Sequence, residues 1–297
     1  MEGYTIMILH KVWSLITETF KNWQNDRASG WAAALAYYTV FSLAPLLIVA
    51  IAIAGLVFGK SAAEHELMNQ ISGLVGNQSA EAIQALIQNA SKPASSIIAM
   101  LLGAGTLIVA ATQAFVQLQD TLNIIWRVKL KPEKPVLSIL RIRLLSFQMV
   151  LGIGFLLLVS LVISAVLSGL GNYLNSLIPG LHIIMEILNI IISFAMVTVL
   201  FAAIFKILPD IIIPWKDVWV GAAVTGALFS LGKYLIGLYL GQASFGSSYG
   251  AAGSIIIILL WVYYSSQILF FGAEFTKVYA SHYGSLVVPN NNAISNE

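Results

Sequence analysis

Two charged side chains interrupt stretches that are otherwise apolar, and they are the first candidates for chemistry in this chain. Lys233 stands inside one apolar run, and Glu274 stands at the end of the last one. An ionisable group within a membrane is costly to bury, so it is generally paired or functional. Lys233 either extends toward the headgroups or faces inward toward a substrate. Glu274 either pairs with Lys277 near the helix end or provides an acidic site.

Three glutamines in or beside the apolar runs are the next candidates. Gln113, Gln117 and Gln267 carry amides that donate and accept hydrogen bonds where water is scarce. Each one alone is best interpreted as a contact between neighbouring helices. We keep all three as candidate substrate-binding residues.

Hydrolytic or metal-dependent chemistry needs converging acids, bases or ligands, and the sequence offers no such arrangement. The chain has no cysteine, and its four histidines occur singly and far apart. It contains no His-x-x-x-His pair, no phosphate-binding glycine-rich loop ending in lysine, and no cluster of carboxylates. The net charge of +2 is too small to indicate nucleic-acid binding. We therefore expect a protein that is not an enzyme and has no cofactor, metal or nucleic-acid partner.

The composition indicates that membrane helices position these candidates. Hydrophobic residues make up 59% of the 297 residues, charged residues make up 9%, and the mean hydropathy is +0.87. Soluble domains carry about 25% charged residues. Only helices or closed barrels satisfy the backbone inside lipid, and long apolar runs without period-2 alternation favour helices. The predicted fold is all-α, a polytopic membrane helical bundle with amphipathic interfacial helices.

Six apolar stretches reach the roughly 20 residues that a helix needs to cross a bilayer. They predict about six transmembrane helices. The predicted spans are residues 31–58, 94–115, 144–167, 183–205, 218–240 and 253–271.

Basic residues are distributed unevenly between these spans. Twelve of the fifteen Lys and Arg residues fall in the N-terminal arm, the second and fourth connections and the C-terminal tail. Only Lys60 and Lys92 fall in the other connections, and Lys233 lies within a span. Because basic segments stay on the cytoplasmic side, the sequence predicts a multi-pass protein with both termini in the cytoplasm.

Two amphipathic segments flank the first span. Residues 5–25 place apolar side chains at helical spacing, which predicts an interfacial helix, and Asp26 is a candidate cap for the next helix. Residues 61–90 form two apolar stripes, which predict a helical hairpin that rests on the outer mouth or is tucked into it. Residues 1–285 would form one six-span domain, and residues 286–297 a disordered cytoplasmic tail.

Glycines and one proline indicate how the helices approach one another. Gly237 and Gly241 form a G-x-x-x-G sequence in the fifth span, which favours close backbone contact. Pro45 removes one backbone donor from the first span and predicts a kink. A kinked helix beside a glycine-rich one suits a transporter, but static membrane proteins have both features too.

Several strings along the chain resemble those of one bacterial family. The first are Ala32-Ala-Ala-Leu-Ala-Tyr-Tyr38, Phe41-Ser-Leu-Ala-Pro45 and Gln117-Leu-Gln-Asp-Thr-Leu-Asn123. The later ones are Leu208-Pro-Asp210, Trp215-Lys-Asp-Val-Trp219, Gly232-Lys233, Tyr249-Gly-Ala-Ala-Gly-Ser254 and Phe271-Gly-Ala-Glu-Phe-Thr276. In this order, and over nearly the whole chain, they resemble the YihY/BrkB family of bacterial inner-membrane proteins.

This resemblance implies an inner-membrane location and a set of candidate functional positions. Members of the family have been labelled ribonuclease BN, virulence or serum-resistance factors and suspected transporters, and some relatives are linked to movement of envelope lipids. The ribonuclease label does not fit a chain without metal ligands or an acid-base pair. The motif residues that the resemblance marks as candidates are Asp26, Tyr38, Asp120, Asp210, Lys233 and Glu274.

The leading hypothesis is a transport protein that moves a lipid, or another amphiphilic or polar solute, and helps to maintain the envelope without nucleotide hydrolysis. The alternative is a membrane scaffold or assembly factor that transports nothing. Membrane lipids and an amphiphilic or small polar solute are the expected partners, and a homo-oligomer is left open.

Overall fold

The computed structural model describes residues 2–75, 77–90, 97–131, 181–242, 251–285, 287–291 and 293–295. Within these ranges the chain is almost entirely helical, and the predicted all-α membrane fold is confirmed. The helices are α1 (Glu2–Asn25), α2 (Ala28–Phe58), α3 (Lys60–Val75), α4 (Asn77–Ala90), α5 (Ile97–Ile125), α6 (Leu181–Ile207), α7 (Trp215–Gln242) and α8 (Ala251–Tyr283). The strands are β1 (Val128–Leu130), β2 (Ile211–Ile212), β3 (Val288–Pro289) and β4 (Ala293–Ser295).

Four helices in the described ranges are long and apolar enough to cross a membrane. Their qualifying segments are Ala28–Leu56, Ile190–Ile207, Trp215–Ile236 and Ile255–Tyr283, which match the predicted first, fourth, fifth and sixth spans. Helix α5 covers most of the predicted second span but continues ten residues past it, to Ile125. The third predicted span, residues 144–167, lies outside the described residues, so the count of six stays a prediction.

The described helices pack in the order α5, α2, α8, α7 and α6, with α8 at the centre. Helix α1 lies against α8. Many side chains on the outer faces are both apolar and exposed, as lipid contact requires. Among the most exposed are Phe41, Leu56, Ile190, Ile191, Leu231 and Tyr234.

The outer hairpin predicted for residues 61–90 is formed by α3 and α4. It is tucked against α2 and α8 because it buries an apolar face there. Met68, Ile83 and Ile87 of the hairpin pack with Leu47 and Ile51 of α2 in a separate buried cluster.

The interfacial helix predicted for residues 5–25 is α1. Its side chains Val12, Trp13, Ile16 and Phe20 are exposed, although all four are apolar. A helix that carries such a face while its other side packs on α8 is typical of an element lying at a membrane surface.

The described parts of the four segments that contain most of the basic residues meet at one end of the bundle. Here β1 pairs with β4, and β2 pairs with β3, in two short antiparallel ribbons. We call this region the basic end. Its position on the cytoplasmic face of the membrane stays a prediction.

The prediction of a disordered tail after residue 285 is wrong for residues 287–291 and 293–295. These residues form β3 and β4 and are held by the ribbons. The backbone N–H of Asn290 also donates to the carbonyl of Asp210 at 3.0 Å. The polar composition of the tail does not predict this ordered structure, because the residues that pair with the tail lie elsewhere in the sequence.

Glycine and threonine residues set the close packing of α7 on α8. Thr225 of α7 lies over Gly272 of α8, and Thr276 of α8 lies over Gly221 of α7. Each hydroxyl donates to a carbonyl of its own helix at 2.7 Å, so neither leaves an unpaired polar group in the interface. The two pairs fix the register of the antiparallel helices.

We expect Gly272→Ala to destabilise the protein by about 1–3 kcal/mol, because an added methyl group overpacks this interface. A Cβ at residue 272 would lie 2.0 Å from Thr225 Oγ1. Thermal unfolding in detergent measures the effect. Gly30→Ala is the matched control, since a Cβ at residue 30 meets nothing within 4 Å. Equal melting temperatures for the two variants would show that α7 and α8 do not pack as described.

Candidate functional site

Four charged side chains form an ion-pair cluster at the basic end, composed of Asp26, Arg127, Glu274 and Lys277. Arg127 Nη2 lies 2.5 Å from Asp26 Oδ1, and Lys277 Nζ lies 3.8 Å from Asp26 Oδ2. Lys277 Nζ also lies 3.4 Å from Glu274 Oε2, which confirms the predicted pairing. The cluster therefore joins the α1–α2 turn, the α5–β1 turn and α8.

The two acids of the ion-pair cluster are far more buried than the two bases. The side chains of Asp26 and Glu274 are 3% and 0% exposed, whereas those of Arg127 and Lys277 are 55% and 22% exposed. Within the described structure, Asp26 Oδ2 and Glu274 Oε1 accept no hydrogen bond from a donor group. Removing one member of such a cluster is strongly destabilising, since it leaves the opposite charge buried without its partner.

The prediction that Asp26 caps helix α2 is wrong. Arg27 occupies the N-cap position with φ 51°, and no side chain caps the helix. Asp26 belongs to the ion-pair cluster instead. Its carboxylate accepts a hydrogen bond from Arg127, which is 101 residues away in the sequence. Its backbone carbonyl accepts a hydrogen bond from Trp31 Nε1 at 3.1 Å.

Asp210 is the centre of a second polar cluster at the basic end, the Asp210 cluster, which also contains Gln119, Asn123 and Asn290. Its Oδ2 accepts hydrogen bonds from Gln119 Nε2 at 3.1 Å and Asn123 Nδ2 at 3.0 Å. Its Oδ1 accepts one from Asn290 Nδ2 at 2.9 Å, and its backbone N–H donates to Asn123 Oδ1 at 2.8 Å. Because Asp210 is buried and both oxygens are bonded to amides, its geometry is that of a structural anchor.

In the described structure, the other predicted site residues of α2 and α5 form no hydrogen bond with either cluster. Gln117 Nε2 donates to Thr121 Oγ1 of its own helix at 3.3 Å. Gln113 and Tyr38 are half-buried, and Tyr38 contacts the Tyr37 ring edge-on. Asp120 is exposed on one side, yet partial burial raises the pKa of its carboxyl, and the nearby Asp210 carboxylate adds to that rise.

A groove of about 300 Å³ lies between α1, α7 and α8, and we call it the lateral groove. Its walls are almost entirely apolar. Leu231 and Leu235 of α7 and Phe20 of α1 line it, and all three are also exposed on the outer surface. The groove therefore opens sideways, toward the region that lipid occupies around a membrane protein. The remaining lining residues are Trp23, Leu228, Gly232, Tyr264, Gln267, Ile268 and Phe271.

Two residues that line the lateral groove each have a polar atom that is buried without a partner in the described structure. In the described structure, Gln267 Oε1 accepts no hydrogen bond and Trp23 Nε1 donates none. An unpaired buried polar group costs about 1–3 kcal/mol, so such groups are rare unless something else satisfies them. Gln267 lies seven residues before Glu274 on α8, about 10 Å deeper in the bundle. The residues that line the groove thus include one unpaired acceptor and one unpaired donor.

Lys233 is exposed and makes no hydrogen bond or ion pair within the described part of the chain. The α7–α8 register places Glu274 level with Ala223, so Lys233 lies about 15 Å further along the bundle. At about 100° per residue, Lys233 also points about 150° away from the centre of the lateral groove. The structure therefore does not bring Lys233 together with Glu274 or Gln267.

Some residues of these sites were not selected from the sequence. Gln119 and Asn123 are four residues apart on one helix face, a spacing that could have marked them as a pair. Arg127 was counted only as a basic residue, and Asn290 only as part of the tail. Among the described residues, no group of three or more His, Cys, Asp or Glu side chains could hold a metal ion.

Residues 19–293 match the protein family described as Virulence factor BrkB. A UPF0761 membrane protein of Alcanivorax borkumensis is 29% identical over 253 residues, which cover 83% of this chain and 56% of the relative. A Psychrobacter UPF0761 membrane protein is 26% identical over 277 residues, covering 92% of this chain and 50% of the relative. A UPF0761 membrane protein of Alteromonas mediterranea is 28% identical over 262 residues, which cover 86% of this chain and 84% of the relative.

The chain thus spans about half the length of the first two curated relatives. No solved structure matches it.

Proposed function

The chain belongs to the Virulence factor BrkB family of integral membrane proteins, and from this premise we propose that it binds a membrane lipid in the lateral groove and helps it to cross the bilayer. The single observation that carries the proposal is a sideways-opening apolar groove with an unpaired acceptor, Gln267 Oε1, and an unpaired donor, Trp23 Nε1. An axial opening would have favoured a soluble solute.

The chemistry of the lateral groove suits an amphiphile. Lipid tails are already in apolar surroundings, so hydrophobic burial gives no preference for the groove over the bilayer. Shape and polar contacts must select the ligand instead. A glycerolipid carries hydroxyl, ester or phosphate oxygens beside its chains, and these accept a hydrogen bond from Trp23 or, as a hydroxyl, donate one to Gln267. Leu231, Leu235 and Phe271 would contact the chains.

In this proposal the movement needs no nucleotide hydrolysis and no chemical step. The groove lowers the barrier for the polar part of a lipid, which otherwise enters hydrocarbon without hydrogen-bond partners. The protein acts in the inner membrane, with the basic end in the cytoplasm. The ion-pair cluster and the Asp210 cluster hold the helix ends together around α8, so the groove keeps its shape.

The test is translocation of a fluorescent lipid in proteoliposomes. We expect the wild-type protein to translocate it faster than protein-free liposomes do. Gln267→Met should slow translocation by roughly fivefold, the effect of losing a hydrogen bond of about 1 kcal/mol. The same variant should melt at a higher temperature than wild type, because it removes a buried acceptor that lacks a partner.

Opposite changes in activity and stability separate a binding role of Gln267 from a structural one. If Gln267 only joined helices, Gln267→Met would lower the melting temperature. Lys233→Ala is the control, and we expect it to translocate lipid at the wild-type rate because Lys233 faces away from the lateral groove. A wild-type rate equal to that of empty liposomes would reject the proposed function, and a stoichiometric protein partner would then favour a scaffold.

A further inference from the structure

A second cavity, of about 460 Å³, lies at the basic end between the last turns of α8 and the two β ribbons. We call it the basic cavity. It is separate from the lateral groove and shares none of the described lining residues with it. Its volume is within the range of about 300–1,000 Å³ that is usual for small-molecule sites.

The basic cavity is lined by hydrogen-bond donors that keep free capacity. Arg127 bonds Asp26 through Nη2, and a guanidinium has five N–H groups, so donors remain on a side chain that is 55% exposed. Lys277 also lines the cavity. Trp126 lines it as well, and the residue is only 8% exposed. Its Nε1 is buried and has no acceptor within the described structure.

Acidic side chains do not offset these donors within the cavity. None of its described lining residues is Asp or Glu. The carboxylates that neutralise Arg127 and Lys277 belong to Asp26 and Glu274, which are buried and do not line the cavity. A cavity whose described lining presents cations and an unpaired indole N–H, but no acidic side chain, suits an anion with several acceptor oxygens.

We propose that the basic cavity binds a phosphate group, held by the Arg127 guanidinium, the Lys277 ammonium and the Trp126 indole N–H. A phosphate supplies enough oxygens for all three donors, and Arg is suited to bidentate contact with it. The cavity is larger than a phosphate ion alone, so the group belongs to a larger molecule. Both a lipid headgroup and a soluble phosphorylated compound have this chemistry. The inference does not depend on the lateral groove.

Inorganic phosphate is the probe that tests the site. Purified protein in uncharged detergent is titrated with phosphate, against chloride at equal ionic strength, and binding is followed by calorimetry and by the rise in melting temperature. We expect saturable binding by wild type. Trp126→Phe should weaken it roughly fivefold, as expected for one hydrogen bond, and Arg127→Gln should weaken it at least about tenfold.

Lys129→Gln is the matched control for both variants. Lys129 lies in β1, two residues from Arg127, and is exposed, but it does not line the basic cavity. We expect this variant to bind phosphate as wild type does. Equal losses in Arg127→Gln and Lys129→Gln, with wild-type binding by Trp126→Phe, would mean that phosphate responds only to net charge, which would overturn the proposal. Absence of saturable phosphate binding by the wild-type protein would by itself overturn the proposal.

A lipid arm distinguishes the two sources of phosphate. The titration is repeated in nanodiscs of phosphatidylcholine, with and without phosphatidic acid. Competition by phosphatidic acid that is lost in Trp126→Phe would identify a lipid headgroup as the ligand. Unchanged phosphate binding in its presence would identify a soluble phosphorylated compound. If neither phosphate nor phosphatidic acid binds in a Trp126-dependent manner, the site does not exist.

Discussion

Replacement of Asp210 by alanine is expected to lower the free energy of unfolding by at least about 3 kcal/mol, because it removes the acceptor of three amide groups, and two of these, on Gln119 and Asn123, are buried. Gln119, Asn123 and Asn290 all donate to the Asp210 carboxylate. These donors come from α5 and from the tail, while Asp210 lies in the α6–β2 loop. The variant should therefore loosen β3 as well as the junction of α5 with α6.

Two measurements on Asp210→Ala follow from this geometry. Thermal or denaturant unfolding in detergent gives the loss of stability, and limited proteolysis reports release of the tail, which the Asn290 contact no longer holds. We expect cleavage after residue 285 to become faster. Wild-type stability together with a protected tail would contradict the role assigned to the Asp210 cluster.

Asp120→Asn is the matched control, because it removes a carboxylate from the same region without removing a hydrogen bond of the Asp210 cluster. The pKa of Asp120 is raised by burial and by Asp210, so the folded state favours its neutral form. Its ionised form therefore lowers stability at neutral pH, and this penalty disappears as the pH falls below its ordinary pKa. We expect Asp120→Asn to melt slightly higher than wild type at neutral pH and equally at acidic pH.

Leu235→Trp is expected to reduce lipid translocation at least about tenfold, which corresponds to about 1.4 kcal/mol or more in the barrier. Leu235 stands on the rim of the lateral groove and is 51% exposed, so a larger side chain there enters the groove rather than the packed core. Stability should change little, because Leu235 is half-exposed and the substitution creates no cavity.

Ile191→Trp provides the control for Leu235→Trp. Ile191 is a 57% exposed aliphatic residue of α6 and lies outside the lateral groove. Both variants add an indole to an exposed apolar surface, but only Leu235→Trp should slow the fluorescent lipid in proteoliposomes. Equal rates in the two variants would mean that the groove is not the route of the lipid.

The sequence predicted the membrane helices well because their signal is local. The length of each apolar run decides whether it can cross a bilayer, and α2, α6 and α7 begin and end within a few residues of their predicted limits. The polar C-terminal ends of α5 and α8 were harder to predict. Gln119 and Asn123 continue α5 past its apolar part, where they bond to Asp210. The same contact from Asn290 orders a tail whose composition predicted disorder.

The sites depend on contacts between distant residues, which one sequence cannot reveal. Asp26 and Glu274 are both candidates from the sequence, and Glu274 is predicted to pair with Lys277, but the sequence does not show that Arg127 and Lys277 reach Asp26 from distant segments. Lys233 was selected for its charge in an apolar helix, and the direction in which it points depends on how α7 packs. Gln267 was selected as one of several glutamines, and only its unpaired oxygen in the lateral groove sets it apart.

The most direct test of lipid binding in the lateral groove is cross-linking with a photoactivatable phospholipid in a bilayer, followed by mass spectrometry of the labelled peptides. We predict that labels concentrate on residues 228–235 of α7 and 264–271 of α8, and that Leu235→Trp removes them from both. Ile187, Leu188, Ile190 and Ile191 of α6 are the internal comparison, since they are apolar and exposed but lie outside the groove. Labelling of α6 equal to that of the groove residues, unchanged in Leu235→Trp, would contradict a lipid site between α1, α7 and α8.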